Sequence, residues 1–128
     1  MLKILHITPH LGGGVGRVLL HYLQAVSKNR NFVHLVCCLD YANPVAKAAS
    51  KQTGFALKEN MSRALPELMA EIKNADIVLV HWWNHPLLQR LLVAEKLPAA
   101  RLLFWSHVSG LHPPFVFTRP ALSYPDYF

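Results

Sequence analysis

The first 26 residues constrain the fold of this chain more than any other stretch. A short apolar run, residues 2–7, leads into a loop, residues 9–17, that holds four of the six glycines. Residues 15–26 follow with apolar side chains at helical spacing. This order predicts a strand, a glycine-rich loop and a helix. Glycine accepts positive φ and lets backbone approach a ligand closely, and N–H groups at a helix start favour anions.

The spacing of these glycines does not match the common nucleotide-binding fingerprints. From Gly12 and Gly14, the dinucleotide fingerprint requires a third glycine at position 17, which is Arg17. The Gly-Lys-Ser/Thr ending of a P-loop is also missing. From its pattern alone, the loop fits either of two alternatives, a phosphate-binding loop or a plain turn that links a strand to a helix.

Strands and helices alternate along the rest of the chain. Further strands are predicted at residues 32–39, 54–57, 76–80 and 102–105, the third of them short. Further helices are predicted at residues 43–52, from about Pro66 to Ile72, and from Pro86 onwards, with Asn84 as candidate cap. The pattern predicts one α/β domain, residues 1–128, with a three-layer Rossmann-like open parallel sheet of strand order 3-2-1-4-5. From about residue 107 an irregular tail rich in proline and aromatic residues follows.

Three loops should converge on one crevice of such a sheet. Ligands bind open parallel sheets beyond the carboxyl ends of the strands, at the switch point between strands 1 and 4. The loops at residues 10–16, 81–85 and 107–112 each follow a strand directly. The candidate residues on the acceptor side of this crevice are His10, His81, Trp83, His85, Ser109 and His112. Trp82 and Trp83 should point to opposite faces, one of them into the core.

Charge and cysteine content limit the partners and the compartment. The formal charge is +6 and the isoelectric point about 9.6, which suits phosphate ligands, anionic lipid or nucleic acid. The Lys and Arg residues are scattered, so we expect no nucleic-acid partner and at most peripheral membrane contact. Cys37 and Cys38 are adjacent in a strand and cannot pair with each other, which favours a reducing, cytoplasmic location. The apolar start of the sequence is too short for a signal peptide, so we expect none, and no apolar run approaches membrane-spanning length.

Four stretches carry a resemblance to a known enzyme family. They are residues 3–7, 11–18, 76–81 and 105–107. With their loops at one sheet edge, they resemble the N-terminal domain of a family 4 glycosyltransferase of the GT-B fold, over nearly the whole chain. The resemblance implies a retaining, hexosyltransferase-type enzyme of carbohydrate biosynthesis. It would transfer sugar from a nucleotide-sugar donor to a saccharide or lipid-linked acceptor.

The resemblance also assigns roles to individual residues. In this family the N-terminal domain mostly holds the acceptor, and its glycine loop reaches the donor diphosphate. Gly12, Gly13, Gly14 and Arg17 are therefore candidate contacts to the donor diphosphate and sugar. His107 is the candidate catalytic residue, since a histidine after a later strand approaches the donor sugar. Its imidazole could stabilise the charge that develops as the glycosidic bond breaks.

A second domain supplies most nucleotide contacts in that family, together with a pair of glutamates. The 128 residues hold no such domain, so the resemblance implies a fragment, a split subunit or a truncated gene product, inactive without its missing C-terminal domain or subunit. We expect no cofactor besides the nucleotide-sugar substrate and no metal, which this fold generally does not need. His81 and His85 would share a metal only on one helix, and Pro86 argues against that.

Two other functions stay open at the level of sequence. Asp40 ends the second strand, where an acidic residue binds the adenosine ribose in an NAD(P)-binding Rossmann domain of an oxidoreductase. Alternatively, the chain is a non-catalytic Rossmann-like module that binds a partner chain. Exposed aromatic residues in the tail, such as Phe115, Phe117 and Phe128, would fit that function.

Overall fold

One parallel sheet of five strands forms the centre of the molecule. The computed structural model describes residues 1–113 and 117–128. The strands are β1 (Leu2–Thr8), β2 (Phe32–Cys38), β3 (Ala56–Lys58), β4 (Ile77–Trp82) and β5 (Leu102–Ser106). The helices are α1 (Gly13–Val26), α2 (Pro44–Thr53), α3 (Leu65–Asn74), α4 (Pro86–Ala94) and α5 (Arg119–Ser123), with a 3-10 turn at Met61–Arg63. The strand order β3-β2-β1-β4-β5 confirms the predicted order and the Rossmann-like architecture.

Alternation along the strands divides the apolar side chains into two cores. Leu5 and Ile7 of β1 point to the layer that holds α3 and α4, where they pack with side chains such as Leu68 and Leu88. The core on the other face lies under α1 and α2 and includes Leu19, Leu20, Leu23, Val36, Ala46 and Ala49. Both faces are covered, as the continuous apolar strands predict. Cys37 and Cys38 enter opposite cores as free, buried thiols, which confirms their predicted divergence.

The helices that form the outer layers are short. The longest helix in the described ranges, α1, has 14 residues. None of the helices that the structure describes combines the length and the apolar character needed to cross a bilayer. Their apolar sides instead pack against the sheet.

Local sequence signals set where the helices begin. Asn43 caps α2 by accepting the Ala46 N–H at 2.8 Å, with Pro44 in the first turn as predicted. The prediction that Asn84 caps α4 was wrong. His85 is the cap, and its Nδ1 accepts the Leu87 N–H at 3.2 Å. The reason is the next residue, Pro86, which disfavours helical backbone at His85 and so fixes the helix start there.

The glycine loop merges into α1 two residues earlier than predicted. The helix begins at Gly13 rather than Val15, and Gly13 has a φ of +63°, a conformation that favours glycine. Gly16 lies inside α1 and is buried. A Cβ built on Gly16 would lie 3.1 Å from the backbone carbon of Leu11, so glycine lets α1 pack closely on its own loop.

The end of the tail packs on strand β5. Tyr127 forms a single parallel bridge with Leu103, and Asp126 Oδ2 accepts the Leu102 N–H at 2.8 Å. Of the tail aromatics predicted to be exposed, Phe128 is 41% exposed. Phe117 is half-buried and packs on the core, which contradicts the prediction for that residue, and Phe115 lies outside the described residues.

We expect Gly16→Ala and Gly14→Ala to change stability in opposite directions. Alanine at position 16 pushes against the Leu11 backbone, so the free energy of unfolding should fall by about 1–3 kcal/mol. A Cβ on Gly14 meets no described heavy atom within 4 Å, so alanine there should raise stability by up to about 1 kcal/mol. Urea unfolding followed by circular dichroism measures both changes. Equal losses in the two variants would contradict this account of the loop.

Candidate functional site

A crevice opens beyond the carboxyl ends of the central strands, next to the glycine loop. Its volume is about 470 Å³. It is lined by His10, Gly12, Gly13, Gly14, Val15, Val18, Trp83 and His107. The crevice therefore brings together six of the candidate residues, which come from three separate loops.

The wall of the crevice contains polar atoms without partners. His10 Nδ1 and Trp83 Nε1 are buried and make no hydrogen bond within the described part of the chain. The His10 ring stacks on Tyr41 with centroids 5.0 Å apart and meets the Trp83 ring edge-on at 5.1 Å. Buried polar atoms normally have a partner. Because His10 and Trp83 both line the crevice, these two exceptions lie beside it.

Behind His107 lies a row of hydrogen-bonded imidazoles, the histidine chain (His34, His6, His81 and His107). His107 Nε2 is 2.8 Å from His81 Nδ1. His81 Nε2 is 3.1 Å from His6 Nδ1, and His6 Nε2 is 3.0 Å from His34 Nδ1. The first three residues are buried. The chain thus links the crevice to a buried position on β2, three strands away from β5.

Strand register explains how the four histidines meet. His34 of β2 stands opposite Ile4, two residues before His6 on β1. His6 in turn stands opposite Leu79, two residues before His81 on β4. His81 stands opposite Trp105, two residues before His107. Each step crosses one strand and advances two residues, so the side chains lie on one face of the sheet.

Burial keeps these imidazoles neutral. Desolvation, with a smaller contribution from the charge of His34, lowers the pKa of His6 to about 3. The pKa of His81 also lies well below its usual value, mainly because of desolvation. Burial lowers the pKa of His34 and of His107 as well. At neutral pH each ring therefore offers one N–H and one lone pair.

His85 lies beside the crevice but lines a different cavity. Its ring contacts His10 with centroids 5.7 Å apart. The cavity it lines has a volume of about 520 Å³ and also contains Asp40, Arg63 and Arg90. Burial, followed by the charge of His10, lowers the pKa of His85. His85 thus lies between the crevice and a second cavity that contains charged side chains.

Arg17 and two candidates in the tail lie outside the lining of the crevice. Arg17 is exposed and lines a cavity of about 310 Å³ that also contains Asn43. Ser109 is exposed, and its Oγ accepts the Leu111 N–H at 3.3 Å in a local turn. His112 is exposed as well. Arg17 shares its cavity with Gly12 and Gly13 of the glycine loop. None of the three side chains lines the crevice that contains His107.

The two adjacent tryptophans separate as their alternation predicts. Trp82 is buried and stacks on Phe104, with centroids 5.1 Å apart and an angle of 13°. Trp83 lines the crevice. Trp82 therefore belongs to the core, and Trp83 contributes an aromatic side chain to the lining of the crevice.

Sequence reasoning missed His6 and His34 as parts of the site. Both lie inside strands that read as apolar runs. A lone histidine in such a run is a weak signal, because many buried histidines only satisfy local hydrogen bonds. His81 was predicted to lie in the crevice, and it instead lies directly behind it, in contact with His107.

The titratable side chains give no sign of a metal centre in the part of the chain that is described. Residues 1–113 and 117–128 contain no group of three or more His, Cys, Asp or Glu side chains arranged to hold a metal ion. In the histidine chain, the nitrogens face one another at hydrogen-bonding distance. Both ring nitrogens of His6 and His81 are thereby engaged.

Comparison with protein-family models, with curated proteins and with solved structures finds no match for this chain. The function must therefore be argued from the crevice and from the residues that resemble the glycosyltransferases.

Acid should destabilise the fold through the buried histidines. Below the usual histidine pKa of 6.5, the unfolded chain takes up protons that the folded chain excludes, so stability is complete above pH 6.5 and falls as the pH drops. His6 contributes a slope of about 1.4 kcal/mol per pH unit below pH 6.5, down to about pH 3, and the other buried histidines add to it in the same direction. Urea unfolding at pH 7.5, 6.0 and 5.0 measures the slope. The control is His21→Gln, which replaces an exposed histidine. Constant stability of the unmodified chain over this pH range would contradict the assignment of the buried histidines as neutral.

Proposed function

We propose that this chain is the acceptor-side half of a retaining GT-B glycosyltransferase, acting on a nucleotide-sugar donor and a saccharide or lipid-linked acceptor. The observation that carries the proposal is the crevice, where the glycine loop and His107 line one cavity at the sheet switch point. Open α/β sheets bind ligands at that point. The buried free thiols Cys37 and Cys38 support a reducing, cytoplasmic setting.

The start of α1 is suited to the donor diphosphate. The first N–H groups of a helix lack partners within the helix and favour an anion. Gly12 occupies the N-cap position of α1 and makes no side-chain hydrogen bond to the first turn. The structure describes α1 in full, and the first turn of this helix contains no acidic residue. Gly13 and Gly14 are exposed, so backbone there can approach a phosphate closely.

His107 would act on the sugar or on the leaving group. One of its ring nitrogens is bound to His81, and the other remains for a ligand in the crevice. A neutral imidazole held in this way can donate to oxygen where negative charge develops. Trp83, on the same wall, offers an apolar surface against which a sugar ring can stack.

The proposed reaction needs a second domain or subunit opposite the crevice. Transition-state stabilisation in sugar transfer requires groups on both sides of the diphosphate and the sugar. Gly12–Gly14 and His107 supply one side. In the proposal a donor-binding half supplies the nucleotide contacts and excludes water, and this chain alone has no transferase activity.

The position of Asp40 argues against a dinucleotide-binding oxidoreductase. An acid that binds the adenosine ribose must lie near the glycine loop. Asp40 instead lines the cavity that contains Arg63 and Arg90, outside the lining of the crevice. Tyr41 covers the glycine loop at Gly12, because a Cβ built on Gly12 would lie 2.9 Å from the Oη of Tyr41.

His107→Ala should slow sugar transfer by the enzyme assembled from this chain and a donor-binding half. Loss of one charge-stabilising contact should raise the barrier by about 2–4 kcal/mol and lower kcat accordingly. Steady-state rates with a panel of nucleotide sugars measure this effect. His21→Ala, which removes an exposed imidazole outside the crevice, should keep the rate. Equal rates for His107→Ala and the unmodified enzyme would remove His107 from the reaction.

NAD and NADP should not bind to this chain. Arg17 replaces the third glycine of the fingerprint, and Asp40 faces another cavity. Titration calorimetry with the folded chain checks the expectation. Saturable binding that disappears in Asp40→Ala would overturn the transferase proposal in favour of an oxidoreductase.

A further inference from the structure

The two inner members of the histidine chain use both of their ring nitrogens. His6 contacts His34 and His81, and His81 contacts His6 and His107. A neutral imidazole has one N–H and one lone pair, so each inner ring donates one hydrogen bond and accepts the other. His6 and His81 must then donate in the same direction. The geometry therefore requires all four histidines to adopt the same tautomer.

Only two arrangements of protons satisfy this requirement. If the N–H groups point toward the crevice, every ring carries its proton on Nδ1, and His107 presents an N–H to the crevice. If they point the other way, every ring carries its proton on Nε2, and the outermost N–H belongs to His34. The two ends of the chain decide between these arrangements.

The ends of the chain lie in different surroundings. His34 Nε2 is buried and has no hydrogen-bond partner among the residues described. Aromatic rings surround it, with the Tyr22 centroid at 5.9 Å and the Phe32 centroid at 6.4 Å from the centroid of His34. Orphaned N–H groups in such positions are rarer than acceptors that lack a donor. At the other end, an N–H on His107 can reach water or a ligand, because His107 lines the crevice.

We propose that the histidine chain holds His107 as the Nδ1–H tautomer, with His81 as the positioning residue that fixes it. His107 then donates a hydrogen bond to a ligand atom with an oxygen lone pair, such as a phosphoryl or hydroxyl oxygen. The identity of this oxygen rests on the proposed function. The tautomer itself rests on the hydrogen bonds within the chain and does not require that function.

The proposal restricts the chemistry of His107. With its Nδ1 protonated and its Nε2 accepting from His81, the ring has no lone pair to offer a ligand. His107 is thereby a hydrogen-bond donor rather than a general base. The ligand must present an acceptor at this point of the crevice.

Nuclear magnetic resonance of the chain with ¹⁵N-labelled histidine tests the tautomer directly. Long-range ¹H–¹⁵N correlation at pH 7.5 distinguishes Nδ1–H from Nε2–H in a neutral ring. We expect His34, His6, His81 and His107 all to give the Nδ1–H pattern, which is the minor form of free histidine in water. An Nε2–H pattern for His107 would overturn the proposal. Different tautomers within the four residues would do the same.

Two variants of His81 test its positioning role. Asparagine can place its Nδ2–H close to the position of the imidazole Nδ1–H, whereas phenylalanine has no donor. His81→Asn should keep His107 as Nδ1–H, and His81→Phe should return it to Nε2–H. An unchanged His107 pattern in folded His81→Phe would overturn the role of His81. If His81→Phe does not fold, the spectrum of the unmodified chain and that of His81→Asn decide.

The same pair of variants separates this inference from the proposed function. In an active enzyme, kcat should fall in His81→Phe and recover in His81→Asn, in step with the tautomer of His107. An enzyme that transfers no sugar, but whose spectra show the expected patterns, would refute the proposed function and leave the tautomer assignment standing. Transfer that is equally fast in both variants would refute the positioning role.

Discussion

The pairing of β1 with strands on both of its sides determines where every functional group lies. β1 pairs with β2 from Leu2 to Thr8 and with β4 from Ile4 to Ile7. Because β1 is central, these two registers set the relative heights of the loops that follow each strand. A shift of one residue would turn each histidine to the opposite face of the sheet. The crevice and the histidine chain thus depend on the same backbone hydrogen bonds.

Helix α1 connects the crevice to the buried part of the histidine chain. Its first turn, at Gly13 and Gly14, forms one wall of the crevice. Two turns further on, Tyr22 lies over His6, with centroids 5.9 Å apart, and meets Trp105 edge-on at 5.7 Å. The close packing that Gly16 permits holds the helix against the loop. Displacement of α1 would therefore alter the glycine turn at the start of the helix and uncover the imidazoles together.

The sequence predicts the parts of this arrangement that depend on local pattern. Apolar runs and helical periodicity yield the strands, their order and the convergence of the glycine loop with His107 on one edge. The contact of His6 with His34 and His81 depends on strand register, which no local pattern encodes. The sequence likewise does not show that His85 caps α4. An imidazole accepts a hydrogen bond only in a suitable tautomer and rotamer, and both depend on the folded surroundings.

Buried histidines on the face of a sheet are unfavourable for the packing of a hydrophobic core. Aliphatic side chains would fill the space under α1 without polar atoms, and buried polar groups are tolerated only when they are paired. At His6 and His81 this condition is met, because every ring nitrogen has a partner. At His34 Nε2 it is not met. Proteins keep such exceptions chiefly where function requires them, and the opposite end of this chain is the histidine that lines the crevice. A row of imidazoles that merely filled the core would have no need to end there.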